Sequence, residues 1–305
     1  MKVLVTGGSG FIGTHIVAEL LRRGHEVRIL DRRVPKVNKT EWVDGDLRWL
    51  GDCDRAVRGV DAVMHLAARI SVDESIDYIW QYYNDNLMST VNIFVASRKH
   101  EVNHIVFTSS CEVYGETPHQ GATEESPCNP TSPYAASKYA AERAALSFKN
   151  VYPELKLAIL RPFNTFGEWQ RPFRAGAVIP TFVLQALRNQ PITVHGTGEQ
   201  VRDFVYAGDI ARAQVDVLEK RLEGTFNIAT GRGRTINEIA NNIIKLVGKG
   251  KIEHIEDKRK GAQLFYSVGD STKLTKLTGW KPTQNFEPTL KKVIDWYNSR
   301  PEFLV

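Results

Sequence analysis

Short β-branched and apolar runs alternate with amphipathic stretches through the first half of the chain, which predicts an α/β protein built on a doubly wound parallel sheet. Two further observations point the same way. The first run, Lys2 to Thr6, meets a glycine-rich turn and passes directly into a helical pattern from Ile12 to Arg23. Beyond about Gly167 the alternation weakens, which predicts a smaller C-terminal α/β substrate lobe over the carboxyl edge of the sheet, where open α/β sheets place their ligands.

Taken in order, further strands are expected at Glu26 to Leu30, Ala62 to His65, His104 to Thr108 and Leu155 to Leu160, with helices between them. The second part reads as helices at Val178 to Asn189, Ala207 to Leu218 and Ile236 to Val247, with short strands at Ile192 to Val194 and Phe204 to Val205. A final helix is expected from Pro288 to Asn298. The expected division is residues 1–167 for the sheet domain and 168–305 for the substrate lobe, with segments near 200–228 free to return to the first.

Composition narrows the class. The chain has 305 residues, 42% hydrophobic and 25% charged, which sets aside disordered and fibrous readings. The N-terminal apolar run is too short for a signal peptide, and eighteen consecutive apolar residues occur nowhere, so a cytoplasmic chain without a membrane span is expected. The net charge of +5 is not gathered into one block: Glu253, Glu256 and Asp257 interrupt the densest basic stretch, Lys249 to Lys260. That pattern argues for attraction of anionic small molecules and against nucleic acid. Cys53, Cys111 and Cys128 are odd in number and lack CxxC spacing, which removes a disulfide framework and a zinc site. The histidines lack HExxH spacing, and His100 with His104 straddles a helix-to-strand junction, so no metal is expected.

The first chemical signal is Thr6-Gly7-Gly8-Ser9-Gly10-Phe11-Ile12-Gly13, set between strand and helix. Glycines there allow a tight turn and a close approach to pyrophosphate, while a helix N-terminus offers free N–H groups. Asp31 closes the second strand, where a carboxylate accepts hydrogen bonds from an adenosine ribose. Together these define a Rossmann-type dinucleotide site, with Gly7, Gly10, Phe11, Ile12, Gly13 and Asp31 as cofactor residues. The Asp31 carboxylate would repel a 2′-phosphate, which favours NAD, although Arg32 and Arg33 follow it. Asp46 and Leu47 offer a polar edge and an apolar face suited to adenine.

The second signal is Ser132-Pro133-Tyr134-Ala135-Ala136-Ser137-Lys138. On a helix Tyr134 and Lys138 share one face, so an ammonium beside the phenol, together with a positive nicotinamide, would favour phenolate. Tyr134 then serves as the base for a sugar hydroxyl while hydride leaves for the cofactor.

These motifs resemble the extended short-chain dehydrogenase/reductases, specifically the NAD-dependent sugar-nucleotide epimerase/dehydratase family, and most of all its UDP-glucose 4-epimerases. The resemblance also runs through His65-Leu66-Ala67-Ala68, Ser109 to Gly115, Arg161-Pro162-Phe163-Asn164-Thr165-Phe166-Gly167 and Arg202-Asp203-Phe204-Val205. It implies that Ser110 hydrogen-bonds the reacting hydroxyl beside Tyr134 and that Lys138 also holds the nicotinamide ribose. It places Leu66, Ala67 and Asn86 along the cofactor. It matches Asn164, Arg202 and, less closely, Arg259 to positions that contact the nucleotide diphosphate, and Val178 and His195 to positions near the nucleobase. A homodimer through the helices around Asn84 to Lys99 and Tyr134 to Asn150 is implied as well.

The reaction is less narrowly marked. Dehydratases of the family resemble Thr-Asp-Glu or Thr-Ser-Glu at the positions held here by Ser110-Cys111-Glu112. Cys111 is a poor substitute for an aspartic acid, which favours 4-epimerisation of a UDP-glucose or UDP-galactose type substrate. Glu112 keeps the carboxylate used by 4,6-dehydratases and UDP-glucuronate decarboxylases, so both remain alternatives, as does a catalytically silent NAD-binding module. The segment Glu168 to Arg174 is expected to shape the sugar-side opening.

Overall fold

The computed structural model describes residues 1–173, 177–257, 264–283 and 285–304. In chain order the first elements are β1 (Lys2–Thr6), α1 (Phe11–Arg22), β2 (Glu26–Asp31), β3 (Glu41–Asp44), α2 (Leu50–Val57) and β4 (Ala62–His65). Next come α3 (Val72–Asp77), α4 (Ile79–Tyr83), a π-helical turn at Asn84–Met88 and α5 (Ser89–Lys99). They are followed by β5 (His104–Thr108), a 3₁₀ turn at Cys111–Tyr114, α6 (Pro133–Val151), β6 (Lys156–Pro162) and β7 (Asn164–Phe166). The rest comprises α7 (Val178–Leu187), β8 (Ile192–His195), β9 (Val201–Tyr206), α8 (Ala207–Glu219), β10 (Gly224–Ile228), β11 (Gly233–Thr235) and α9 (Ile236–Val247). The chain ends with β12 (Ile252–Ile255), β13 (Tyr266–Ser267), α10 (Thr272–Thr278), α11 (Phe286–Asn298) and a short α12 (Pro301–Leu304), so α11 is not the last element.

A seven-stranded parallel sheet runs in the order β10-β6-β5-β4-β1-β2-β3. Successive residues of its central strands face opposite cores. Val3 and Val5 join one apolar cluster with Ile16, Val17 and Leu20 of α1 and Ile210 and Val217 of α8. Leu4 joins the other, with Ala56 of α2, Ile93 of α5 and Ala141 of α6. A sheet buried on both faces in this way is doubly wound, and its strands read as continuous apolar runs.

Two strands escape that signal. β3 lies at the sheet edge, is mostly exposed and carries Glu41 and Asp44 at its ends, so it presents no apolar face. β10 follows α8 and pairs with β6 in parallel, which returns the chain to the sheet after β9. The third apolar cluster packs α7, α9 and α11 around Phe182, Val183, Ile239, Ile243 and Tyr297. There β9 is the hub of a small sheet, pairing with β7, β11 and β13, while β8 pairs with β12.

In the large sheet β1 has β4 on one side and β2 on the other. The crevice at a strand-order reversal, beyond the carboxyl ends of the strands, is where such a sheet takes its ligand. The Gly7–Gly10 turn occupies that crevice.

Candidate active site

The glycines around the turn after β1 leave no room for side chains. Gly7 has φ +71°, and a Cβ there would lie 2.9 Å from the backbone of Ala67. A Cβ on Gly13 would lie 2.2 Å from the Gly7 carbonyl oxygen, so the first turn of α1 rests directly on the loop. Among the described residues no side chain caps α1, and its first turn holds no acid. Its first N–H groups are therefore available to an anion. Asp31, buried at the end of β2, accepts from the Ser9 N–H at 3.1 Å and the Arg33 N–H at 3.0 Å. This cradle and its carboxylate fit the pyrophosphate and ribose of a dinucleotide. Asp46 is ion-paired, with Arg48 at 2.6 Å and Arg32 at 3.4 Å, and Leu47 is buried beside it.

A hydrogen-bond relay that no sequence motif displays joins the cofactor crevice to α5. The Thr90 hydroxyl donates to the Asn86 carbonyl at 2.6 Å, so it accepts from His65 Nε2–H at 3.0 Å. His65 Nδ1 then accepts from the Thr6 hydroxyl at 2.7 Å, and Thr6 Oγ1 takes the N–H groups of Leu66 and Ala67, each at 3.2 Å. Burial, and secondarily the Lys138 charge, push the His65 imidazole down to about 3, which keeps it neutral as this relay requires. Asn86, in the π-helical turn, accepts from the Arg69 N–H at 2.7 Å and donates to Ser137 Oγ at 2.9 Å. It thereby ties the loop after β4 to α6.

The start of α6 is set locally. Ser132 Oγ accepts from the Ala135 N–H at 3.1 Å, and Pro133 takes the first helical position. Tyr134 and Lys138 follow one turn apart, both buried. Lys138 Nζ donates to the Thr108 carbonyl at 2.8 Å and stands 4.6 Å from the centre of the Phe107 ring. Burial pushes it down to about 7, with Glu142 one turn on acting in the opposite direction. In the cofactor-free chain burial raises Tyr134 above its ordinary range, and the Glu112 charge raises it further. The Ser110 hydroxyl is the influence that favours phenolate.

Ser110 is buried at the end of β5, with Oγ accepting from the Glu112 N–H at 3.2 Å. Cys111 is 3% exposed within the apolar cluster, and burial raises its thiol well above its ordinary value. Glu112 is half-buried and close enough for its charge to act on both Tyr134 and Cys111. On the far side of the crevice, Asn164 of β7 carries a buried Oδ1 with no hydrogen-bond partner among the described residues. Arg202 of β9 donates to the carbonyls of Val201 at 2.8 Å and Leu264 at 2.5 Å. Val178 is half-buried at the start of α7 and His195 is exposed at the end of β8. Arg259 lies outside the described residues. The described residues hold no group of three or more His, Cys, Asp or Glu suited to a metal, and no described helix is long and apolar enough to cross a membrane.

Glu168 to Gln170 bridges the two sides of the crevice: Glu168 accepts from the Tyr206 hydroxyl at 2.9 Å and pairs with Lys292 at 3.1 Å, and Gln170 donates to the Thr165 carbonyl at 3.2 Å. His15 of α1 hydrogen-bonds the Glu168 carbonyl at 3.0 Å, and Trp169 lies under Lys36, so the segment docks against the cofactor side of the crevice.

The comparisons agree with this geometry. The model of the NAD-dependent epimerase/dehydratase family matches residues 3–229. The chain belongs to that family, and NAD is its cofactor. A relative from Methanocaldococcus jannaschii, provisionally named a UDP-glucose 4-epimerase, is 37% identical over 303 residues, covering 96% of this chain and 97% of that protein. The dTDP-glucose 4,6-dehydratase of Streptomyces niveus is 32% identical over 97% of this chain and 93% of its own length. The UDP-glucose 4-epimerase of Thermus thermophilus, solved with NAD, superposes with a TM-score of 0.92 at 35% identity, covering 98% of this chain and 99% of that one.

Two expected results test the site. Asp31→Ala should weaken NAD by about tenfold, the scale of a lost charged hydrogen bond, and improve NADP relative to NAD in a fluorescence titration. An unchanged preference would take Asp31 off the ribose. The second concerns Lys138, which in the cofactor-free protein gives up its proton near 7 rather than at the ordinary 10.5. Between those values the unfolded chain binds more protons, so this group's contribution to stability rises with pH. Unfolding of wild type and Lys138→Met, compared from about pH 7 toward pH 10, should show the difference moving in favour of the wild type. A constant difference would contradict it.

Proposed function

We propose that the protein interconverts C4 epimers of a nucleotide-linked hexose, of the UDP-glucose and UDP-galactose type. The observation that carries this choice is Cys111: it stands where the dehydratases resemble an aspartic acid, and its thiol is buried beside an apolar cluster and raised by burial well above its ordinary value. Beside Ser110 there is thus no second acid at that position to expel a C6 hydroxyl.

A bound NAD would supply the acceptor, and later the donor, of a hydride at C4. Tyr134 takes the proton of the 4-hydroxyl as that C–H bond breaks, leaving a 4-ketone, and gives the proton back when hydride returns to the other face. Ser110 holds the reacting oxygen beside the phenol. Lys138, fixed by the Thr108 carbonyl, supplies positive charge on the same helix face and holds the nicotinamide ribose. The orphan Oδ1 of Asn164 fits a donor of the substrate. Arg202 suits the diphosphate as a planar fork of donors, and Val178 and His195 the nucleobase.

Glu112 supports a second reading, since its charge acts on Tyr134, as a base for the C5 proton in a 4,6-dehydratase would. Incubation with UDP-glucose, UDP-glucuronate and dTDP-glucose, followed by chromatography, separates the two. UDP-galactose as the product supports epimerisation. A 4-keto-6-deoxy sugar or a pentose would overturn it, and no turnover with any of them would favour a silent module. A homodimer through the helices at 84–99 and 134–150 belongs to the same proposal. Met88 and Val95 are 46% and 38% exposed there and suit an apolar partner face. Light scattering at the monomer mass would contradict it.

A further inference from the structure

Arg33 and Lys36 lie at the adenosine end of the cofactor crevice, with the Asp31 carboxylate beside Arg33. Arg33 Nη2 lies 3.7 Å from where a Cβ on Gly10 would stand, so its guanidinium sits over the glycine turn. Its backbone is fixed on both sides: Arg33 N–H donates to Asp31, and its carbonyl accepts from the Ser9 hydroxyl at 2.7 Å. Its Nε is 3.5 Å from Asp31, too long for a strong pair. Lys36 is held down to about 8, first by desolvation and then by the charges of Arg33 and Arg171, with Asp31 acting the other way. Glu168, the nearest acid on the opposing segment, is committed to Lys292 at 3.1 Å and the Tyr206 hydroxyl at 2.9 Å.

The opposing segment is built to stay there. Trp169 has φ +69°, a left-handed conformation costly for an indole-bearing residue. It is held between Lys36, 4.9 Å from its ring centre, and Arg300 at 4.8 Å. Residues from the two parts of the chain thus meet across the mouth of the crevice.

We propose that Arg33 and Lys36 form a cationic clamp on the diphosphate of the bound dinucleotide, closed across the crevice by Trp169. Mutually repelling cations beside a glycine turn and an uncapped helix N-terminus are stabilised when a polyanion enters. Asp31 faces the ribose hydroxyls and disfavours a phosphate there, which assigns the cations to the 5′-diphosphate rather than to a 2′-phosphate. The inference rests on the cofactor assignment and is independent of the sugar turned over.

Calorimetric titration of the full chain, freed of nucleotide, with ADP, 2′-AMP and adenosine at low and high salt tests it. Arg33→Met and Lys36→Met should each weaken ADP by about tenfold and flatten its salt dependence, while adenosine binding is unchanged. Unaltered ADP affinity and salt dependence in the double variant would overturn the clamp. Weakened 2′-AMP with unchanged ADP would overturn its assignment to the diphosphate. A wild type that binds none of the three, and no NAD, would instead remove the cofactor assignment on which the clamp rests.

Discussion

Tyr134→Phe is expected to lower turnover by about a hundredfold or more, the range of a lost general base, while NAD binding and the unfolding transition stay close to wild type. The phenol is buried on α6, its ring meeting Tyr82 edge-on at 6.3 Å, so phenylalanine fills the same space. Burial, and after it the Glu112 charge, raise the phenol, while the Ser110 hydroxyl acts the other way. Its activation therefore depends on Ser110, Lys138 and the positive nicotinamide acting together. Steady-state kinetics with the epimerase substrate measure this; wild-type turnover in the variant would overturn the assignment of Tyr134 as base.

Glu142→Ala should destabilise the fold by about 3–5 kcal/mol, because it leaves a buried guanidinium uncompensated. Glu142, 1% exposed on α6, binds Arg161 of β6 at 2.9 and 2.6 Å, and Arg161 is 6% exposed with its guanidinium 4.8 Å from the Tyr114 ring centre. Replacing both, as Glu142→Leu with Arg161→Met, should recover most of the loss, since apolar pairs of similar volume replace buried ion pairs at little cost. Urea unfolding of the three proteins measures it. A single variant within about 1 kcal/mol of wild type would show that the pair contributes little.

The central strands were legible because a strand covered on both faces is a short uninterrupted apolar run: β1, β4 and β5 coincide with the runs at Lys2, Ala62 and His104. The edge strand β3 has nothing to bury, and its charged residues left no such trace. In the site, the glycine turn, Asp31 and the Tyr134–Lys138 spacing are local and therefore readable. The Thr6–His65–Thr90–Asn86 relay is not, because separate elements supply it and only the packed sheet brings them together. The meeting of Lys36 with Trp169 is hidden for the same reason. Helical spacing put Tyr134 and Lys138 on one face but carried no information about how deeply that face is buried, and in the cofactor-free chain that burial raises the phenol.

Turnover in deuterated water, with the mass of the hexose product recorded, tests the central claim most directly. An epimerase moves hydride out and back at C4 without opening the C5–H bond, so the account predicts UDP-galactose formed from UDP-glucose with no added deuterium on carbon. Loss of water with deuterium at C5 would contradict it and assign Glu112 the base role of a dehydratase.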